Sequence, residues 1–232
     1  MEACFECRGL SKRFGNVQAL DEVNISIIRG RVVGLLGPHR SGKTTLIKLA
    51  TGLLTPDSGE IDVCGYKPGK ESKALVSYLP DRPCLPEWMN TRQLMDLYAD
   101  FYADFDRERA GKMLEHLNIP EKRTIKQMSK GTREKVQLIM VMSRRARLYL
   151  LDEPIGGVDP ATRDYILDTI IRNYDENASV IISTHLISDV VNALDEVIFL
   201  KDGKVNMQSS VDDIREQYGK SVDALFREVF KC

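Results

Sequence analysis

The fold of this chain is decided by one stretch of its sequence, Gly37-Pro38-His39-Arg40-Ser41-Gly42-Lys43-Thr44, with Thr45 directly after it. An apolar run at residues 32–36 precedes the stretch, and a helical pattern at residues 44–50 follows it. A strand, a glycine-rich loop and a helix in this order form the context of a phosphate-binding loop, or P-loop. The glycines let successive backbone N–H groups point inward at a helix N-terminus, where the helix dipole favours an anion. The alternative is a glycine-rich turn that binds nothing, and such a turn would need neither the strand nor the helix.

The residue types within this loop predict how it binds a nucleoside triphosphate. Lys43 is expected to reach the β- and γ-phosphates, and the Thr44 hydroxyl is expected to bind Mg²⁺. Gly52 is expected to end the helix that follows, as its C′ residue. The expected nucleotide-binding residues of the loop are Gly37, Pro38, His39, Arg40, Ser41, Gly42, Lys43, Thr44 and Thr45.

The bulk composition limits the class of protein. With 232 residues, the chain is long enough for one sizeable domain with a real hydrophobic core. Its formal net charge of −1, with 29% charged residues, produces no basic field, so no nucleic-acid partner is expected. No apolar stretch approaches the roughly 18 residues of a membrane-spanning helix, and no secretory signal is visible. Any membrane role is therefore expected to come through a partner.

The cysteines favour a reducing compartment. The chain has five of them, an odd and scattered set that suits the cytosol. Cys4 and Cys7 form a lone CxxC pair. We interpret this pair as part of an edge strand rather than as a metal or redox site.

The hydrophobic periodicity changes twice along the chain. Residues 2–28 have the pattern of short β-strands, and the alternation at residues 23–27 predicts a sheet with one solvated face. Further strands are predicted at residues 60–63 and 75–79. The pattern between residues 91 and 147 is helical, and the predicted helices are 91–98, 106–117 and 129–145. The third of these is expected to bury one face, formed by Val136, Ile139, Met140 and Ser143.

Beyond residue 147, strands and helices alternate. The expected elements are a strand at 148–151, a helix at 159–173, a strand at 179–183, a helix up to 194 and a hairpin over 197–207. Repeated β–α units predict a parallel sheet, and such a sheet binds its ligands at the carboxyl ends of its strands.

We expect a single domain over residues 1–232. Residues 1–90 and 147–208 would form an α/β core with an antiparallel β layer. Residues 91–146 would form an inserted helical subdomain, and residues 209–232 a short C-terminal tail with a short helical pattern.

Polar side chains at two strand ends complete the predicted chemistry. Asp152 and Glu153 follow an apolar strand, at the same edge of the sheet from which the P-loop starts. Asp152 suits the hydration shell of Mg²⁺, and Glu153 can polarise a water molecule in line with the γ-phosphate. His185 follows another apolar strand and can donate a hydrogen bond to a phosphate oxygen. The alternatives are an acidic turn at the end of a strand and a structural histidine.

These residues together resemble the ATP-binding cassette family, in particular the nucleotide-binding subunit of an ABC transporter, over about residues 5–207. Residues 37–45 match the Walker A motif and residues 148–152 the Walker B motif. Glu153 matches the catalytic glutamate and His185 the switch histidine. The resemblance implies a P-loop NTPase fold of the ABC-ATPase type. Its features are a mostly parallel core sheet flanked by helices, an antiparallel β subdomain and an inserted helical subdomain.

The resemblance also assigns roles outside the P-loop. Phe14 is locally compatible either with a turn aromatic or with a surface on which adenine stacks, and the family keeps its adenine-stacking aromatic at this place. Residues 156–159 look like the D-loop. Ser129 and Gly131 match the signature motif, which would bind the γ-phosphate of an ATP held by a second subunit.

Two motifs depart from the family pattern. The signature Leu-Ser-Gly-Gly-Gln is here Met128-Ser129-Lys130-Gly131-Thr132, so Lys130 adds a charge and Thr132 is shorter than glutamine. Asp81 stands where the family usually has the Q-loop glutamine. Asp81 can still contact Mg²⁺ or its water, so we place it with Thr44 and Asp152 among the expected metal-binding residues. A turn residue before Pro83 is the alternative.

The resemblance implies ATP hydrolysis to ADP and phosphate with Mg²⁺, in a head-to-tail dimer with a second ABC ATPase subunit. It also implies a membrane-spanning permease as partner, so that the chain lies in the cytoplasm on the inner face of the membrane. Trp88 and Met89, just after Asp81, would suit docking of the permease, and core packing is the alternative.

The chain is further similar to small bacterial exporter-type ATPases, including the YtrB-like group. A cassette ATPase of assembly or repair without a membrane partner is the competing hypothesis. The sequence contains no Asn-Lys-x-Asp motif for guanine recognition, and this argues against a GTPase.

Overall fold

The computed structural model of this chain describes residues 2–156, 159–175 and 177–230. Its strands in that part are β1 (Ala3–Phe14), β2 (Val17–Ile28), β3 (Val32–Leu36), β4 (Ser58–Val63), β5 (Val76–Leu79), β6 (Leu148–Asp152), β7 (Ser179–Thr184), β8 (Glu196–Lys201) and β9 (Lys204–Ser210). One sheet has the antiparallel order β2–β1–β4, and the other has the order β5–β6–β7–β3–β8–β9. In the second sheet only β9 runs antiparallel to its neighbour. The predicted α/β fold class, with a mostly parallel core sheet and an antiparallel layer, is confirmed.

The helices of the described part are α1 (Lys43–Ala50), α2 (Lys70–Leu75), α3 (Thr91–Phe101), α4 (Arg107–His116), α5 (Lys130–Met142), α6 (Pro160–Asn173), α7 (Ile187–Val190), α8 (Val211–Tyr218) and α9 (Val222–Val229). Asn90 caps α3 by accepting a hydrogen bond from the Gln93 N–H at 2.9 Å. α1 is followed by Gly52 with a φ of 69°, as its predicted C′ role requires. None of these helices combines the length and the apolar character needed to cross a bilayer.

The core sheet is buried on both faces because successive side chains of a strand point to opposite sides. In β3, Val32 and Leu36 belong to a cluster packed by α5 to α9, whereas Val33 and Leu35 belong to a cluster packed by α1 and the antiparallel sheet. All residues of β3, β6 and β7 are buried. The sheet is therefore the middle layer, and its central strands reach solvent only at their ends, whereas the edge strand β9 has exposed residues along its length.

Helix α5 is buried over its whole second half. Val136, Ile139 and Met140 pack in a third apolar cluster together with α3 and α4. The opposite side of α5 packs in the cluster on the core sheet, through residues such as Leu138 and Met142. The prediction of one buried face was therefore incomplete, because this helix lies between two apolar clusters. The predicted boundaries of a helical subdomain at residues 91–146 remain a prediction.

The interpretation of Cys4 and Cys7 as part of an edge strand is wrong. β1 is the central strand of its sheet, because it pairs with β2 on one side and with β4 on the other. Both thiols are buried, and burial raises the pKa of Cys7 to about 12. A thiol in such an environment is rarely ionised at neutral pH and is therefore a poor nucleophile.

Two further predictions of secondary structure were wrong in detail. The strand predicted at residues 75–79 begins at Val76, because Leu75 is the last residue of α2. The helix predicted at residues 129–145 ends at Met142, and the short helical pattern expected after residue 208 forms two helices, α8 and α9. α9 is fixed to the core by its aromatic residues, since the Phe226 ring packs edge-on against Phe199 with 5.4 Å between the ring centroids.

Candidate functional site

A cleft of about 540 Å³ opens at the carboxyl ends of the parallel strands. The strand register brings these ends together, since Leu36 pairs with Thr184 and Asp152 pairs with Ser183. The cleft is lined by residues 39–45 of the P-loop, by residues 17–19 of β2, and by Asp81, Glu153, Gly156 and His185. The chain thus brings the loop and both predicted strand ends into one site.

The loop conformation depends on two glycines. A Cβ atom at Gly37 would lie 2.2 Å from the carbonyl oxygen of Leu200, so no side chain fits there. Gly42 has a φ of 109° and would place a Cβ 2.5 Å from the carbonyl oxygen of Ala19. Arg40, between them, also has a left-handed backbone, with a φ of 66°, although it carries a side chain.

Lys43 lies across the loop that precedes it. Its ammonium group donates to the carbonyl oxygens of Gly37 at 2.8 Å and Pro38 at 3.1 Å, and it lies 3.4 Å from the Oε1 atom of Glu153. The side chain is only 5% exposed. Burial lowers the pKa of Lys43, and the nearby charge of Glu153 opposes that effect. The cation is therefore held between Glu153 and the loop that is predicted to bind the phosphates.

Asp152 has the character of a cation ligand. Its Oδ1 atom accepts hydrogen bonds from the Ser183 hydroxyl at 2.5 Å and from the Thr44 hydroxyl at 3.2 Å. Its Oδ2 atom is buried and has no hydrogen-bond partner among the described residues. Burial raises the pKa of Asp152, against the effect of the two hydroxyl groups. A hydroxyl group beside a carboxylate with one uncommitted oxygen is a donor set that fits a hard cation such as Mg²⁺.

Glu153 is fixed at both its backbone and its side chain. Its N–H group donates to the carbonyl oxygen of Ser183 at 3.0 Å and to the hydroxyl of the same residue at 3.1 Å. Its backbone is left-handed, with a φ of 48°. Its Oε2 atom lies 3.0 Å from Nδ1 of His185, and its Oε1 atom faces Lys43. The carboxylate thus has a basic partner on each oxygen, which is the arrangement expected of a positioned general base.

Sequence reasoning missed one residue, Ser183, and one contact, that of His39 with His185. Ser183 holds both Asp152 and Glu153, and its only signal was a polar residue at the end of an apolar strand. The side chain of His39 packs against His185, with 4.4 Å between the ring centroids. No local pattern could have shown that contact, because the two histidines lie on separate segments of the fold.

Asp81 is exposed and lines the same cleft. Its charge is one of the smaller causes of the raised pKa of Asp152, so the two carboxylates lie close enough to interact. The segment after Asp81 is attached to α5, since the Gln137 side chain accepts a hydrogen bond from the Cys84 N–H at 2.7 Å.

Phe14 lies outside the lining of the cleft. It is the last residue of β1, its side chain is 47% exposed, and the Lys12 ammonium lies 5.7 Å from the ring centroid. The neighbouring β2 residues Val17 to Ala19 line the cleft instead. The adenine-stacking role of Phe14 therefore stays a prediction.

The signature residues lie apart from the cleft as well. Ser129 caps α5 by accepting a hydrogen bond from the Thr132 N–H at 3.2 Å, and the Ser129 and Thr132 hydroxyls lie 2.8 Å apart. Ser129 is exposed, and a Cβ atom at Gly131 would meet nothing within 4 Å. The predicted D-loop is described only in part, because residues 157 and 158 lie outside the described residues.

Comparison with known proteins gives consistent matches. The family model described as ABC transporter matches residues 20–156. The ABC transporter ATP-binding protein YtrB of Bacillus subtilis is 30% identical, over 93% of this chain and 75% of that protein. The SkfA peptide export ATP-binding protein SkfE of the same organism is 32% identical, over 91% of each chain. The daunorubicin resistance ATP-binding protein DrrA3 of Streptomyces coeruleorubidus is 29% identical, over 95% of this chain and 72% of that protein.

A solved structure of an ATP-binding subunit of an ABC transporter superposes with a TM-score of 0.88. It is 28% identical to this chain and covers 98% of it, while the chain covers 99% of that structure. A dimeric ATP-binding cassette bound to ADP and phosphate has the same fold, with a TM-score of 0.77 at 21% identity over 89% of this chain and 98% of that one.

Proposed function

This chain belongs to the ABC transporter family as an ATP-binding subunit with ATPase activity, and we propose that it closes with a second cassette around ATP and Mg²⁺ to drive a separate membrane-spanning partner. One observation carries this proposal. The cleft holds the contacts of Thr44 with Asp152 and of Glu153 with both Lys43 and His185. A cation-binding pair and a positioned base therefore lie side by side at the loop that would hold the phosphates.

In the proposed reaction, the P-loop N–H groups and Lys43 bind the triphosphate. Lys43 would exchange the carbonyl oxygens of Gly37 and Pro38 for phosphate oxygens. Thr44 and Asp152 would hold Mg²⁺, and the bound ion would neutralise charge on the β- and γ-phosphates. Asp81 would contact the metal or its water.

The hydrolytic step needs a water molecule directed at the γ-phosphorus. We propose that Glu153 accepts a hydrogen bond from that water and takes its proton as the oxygen–phosphorus bond forms. The bond from the γ-phosphorus to the β–γ bridging oxygen breaks, and ADP leaves. His185 would hold the Glu153 carboxylate and contact the γ-phosphate through its other nitrogen.

The place of the signature residues supports a second subunit in the complete site. Ser129 and Gly131 lie at the exposed N-terminus of α5 and outside the cleft of their own chain. Free N–H groups at a helix N-terminus favour an anion. We propose that they bind the γ-phosphate of an ATP held in the P-loop of a facing cassette.

Two features, the exposed Trp88 and a separate apolar groove, support the proposed docking of a membrane subunit. The Trp88 side chain is 68% exposed, whereas Met89 is half-buried and packs on the cluster of α3, α4 and α5. A groove of about 270 Å³ lies between the core and α3, with apolar and aromatic walls that include Leu53, Tyr78 and Tyr98. We propose that a helix of a permease binds here. The chain would then lie on the cytoplasmic face of the membrane.

The direction of transport is proposed from relatives alone. The names of SkfE and DrrA3 describe peptide export and daunorubicin resistance. Because this chain is similar to both over nearly its whole length, we propose that it serves an exporter.

Calorimetry with MgATP tests the nucleotide site. The wild-type chain is expected to bind MgATP, and Lys43→Ala is expected to lose most of that affinity because the buried ammonium group is removed. Unaltered affinity of this variant would refute the P-loop assignment.

Isolation from solubilised membranes tests the partner. We expect a multi-spanning protein to remain with the wild-type chain and with the control Tyr218→Ala, which removes an exposed aromatic residue on α8. The same protein should be lost with Trp88→Ala. Retention of soluble proteins alone would favour the cassette ATPase without a membrane partner.

A further inference from the structure

Three side chains from separate segments form one continuous contact in the cleft. His39 comes from the P-loop, His185 follows β7, and Glu153 follows β6. The two imidazole rings lie 4.4 Å apart at an angle of 46°, and His185 Nδ1 lies 3.0 Å from Glu153 Oε2. The ring of His185 is thus held on one side by a carboxylate and on another by a second imidazole.

We propose that His39 is a positioning residue, which holds the His185 ring in the orientation that keeps Nδ1 on Glu153. This inference rests on the proposed function, since it concerns the base of the same reaction. The His185 side chain is 33% exposed, so its ring is not confined by burial. One hydrogen bond fixes one ring atom, whereas contact with a second ring also restricts the ring plane.

The contact gains importance from the two partners of Glu153. Lys43 faces Oε1 of this carboxylate and His185 faces Oε2. In the proposed reaction Lys43 turns to the phosphates, and His185 is then the remaining side-chain partner that orients Glu153. Restricting the rotation of His185 at that stage keeps the base directed at the water.

Because His39 lies in the P-loop, its support of the His185 ring also depends on the conformation of that loop. The loop that carries His39 is closed by a hydrogen bond from the Ser41 N–H to the Pro38 carbonyl oxygen at 3.3 Å. The same loop would hold the phosphates, so any change of the loop on nucleotide binding would also move the ring that supports His185. Binding of the nucleotide and orientation of the base are thereby linked through one side chain. The other charged groups around this contact are Arg40, Asp81 and Lys43, which line the same cleft.

A double-mutant cycle on steady-state ATP hydrolysis tests the proposal. His39→Ala is expected to lower kcat about fivefold, the size of one aromatic contact, and to change KM for MgATP less than kcat, because the loop is expected to bind phosphate through its backbone N–H groups. His39→Phe, which keeps a flat ring, should restore most of the loss. In the His185→Ala background, His39→Ala should have no further effect on kcat.

Three results would overturn the proposal: an equal loss in both backgrounds, a His39→Phe variant as slow as His39→Ala, or a change confined to KM. His116→Ala is the matched control, because His116 is an exposed histidine at the end of α4.

The ring contact also has a readout that needs no activity. The chain has three histidines, so each imidazole signal in an NMR spectrum is assigned by the three single alanine variants. His39→Ala should shift the ring signals of His185, and His116→Ala should not. An unshifted His185 signal overturns the role of His39 even in an active enzyme. A different outcome would be that His39→Ala shifts the His185 signal while the wild-type chain does not hydrolyse ATP. That outcome would refute the proposed function and leave the ring contact intact.

Discussion

Replacing Glu153 by glutamine should separate nucleotide binding from turnover. The change keeps the shape of the side chain and removes its charge, which faces Lys43 at 3.4 Å and His185 at 3.0 Å. At this distance the Coulomb attraction between Glu153 and Lys43 is about 5 kcal/mol with an effective dielectric constant of 20. Desolvation outweighs this attraction in the nucleotide-free chain, since burial lowers the pKa of Lys43 in spite of the carboxylate. Loss of the Glu153 charge next to the phosphates is therefore expected to change nucleotide affinity by only about 1 kcal/mol, a factor of about five.

Glu153→Gln is therefore expected to bind MgADP about fivefold more tightly, because Lys43 is freed for the phosphates and a nearby negative charge is lost. ATP turnover should fall by about 10²- to 10⁴-fold with the loss of the general base. Size-exclusion chromatography with MgATP should show a dimer that persists. Titration with MgADP keeps phosphate binding apart from dimer closure.

His185→Ala serves as the control for this prediction. It removes the partner of Oε2 but keeps the charge of Glu153, so turnover should fall while MgADP affinity stays unchanged. The reasoning is refuted if Glu153→Gln hydrolyses ATP within tenfold of the wild-type rate. It is also refuted if the variant binds MgADP no more tightly than the wild type.

Three further substitutions test the strain and the buried charges of the fold. Because burial raises the pKa of Asp152, the folded chain holds that proton more tightly than the unfolded chain, so wild-type stability falls as pH rises from about 4 through the raised pKa. Urea unfolding of Asp152→Asn should accordingly show a gain over wild type that grows as the pH rises above about 4, while Mg²⁺-dependent hydrolysis is lost. Arg40→Gly should raise the free energy of unfolding by roughly 1 kcal/mol, since glycine accepts the left-handed backbone at this position, and an unchanged urea midpoint would contradict the strain. Asp104→Ala should lower the free energy of unfolding by about 2–3 kcal/mol, because the Arg144 guanidinium would lose its carboxylate partner. Arg144 is only 3% exposed and donates to Asp104 at 3.0 Å. An equal urea midpoint would show that the backbone carbonyl partners of Arg144 suffice.

The parts of the site that sequence analysis identified are those encoded by short local patterns. The P-loop combines fixed glycines with a strand before it and a helix after it. Asp152 and His185 each follow a run of apolar residues, which marks the end of a buried strand. The carboxyl ends of parallel strands meet at one edge, so these residues had to come close to the loop.

The parts that sequence analysis missed depend on contacts between distant segments. The central position of β1 follows from its pairing with β4, which no pattern within β1 reveals. The second buried side of α5 exists because the core sheet packs there, although a helical pattern with one apolar face already accounted for its sequence. The contact of His39 with His185 arises because β3 and β7 are neighbours in the sheet, and their order in the chain does not specify this.

The burial of α5 in two apolar clusters makes this helix a rigid link between its exposed N-terminus and the core. Its first turn carries Ser129 as cap, and its buried half holds Cys84 N–H through Gln137 and accepts a hydrogen bond from Ser77 of β5 at the Val141 carbonyl oxygen, at 2.8 Å. Because a packed interior leaves little room for local bending, we expect a displacement of the exposed N-terminus of α5 to move the segment around Asp81 as well. A second subunit bound at that N-terminus, as proposed above, would then alter the nucleotide cleft of the chain that it contacts.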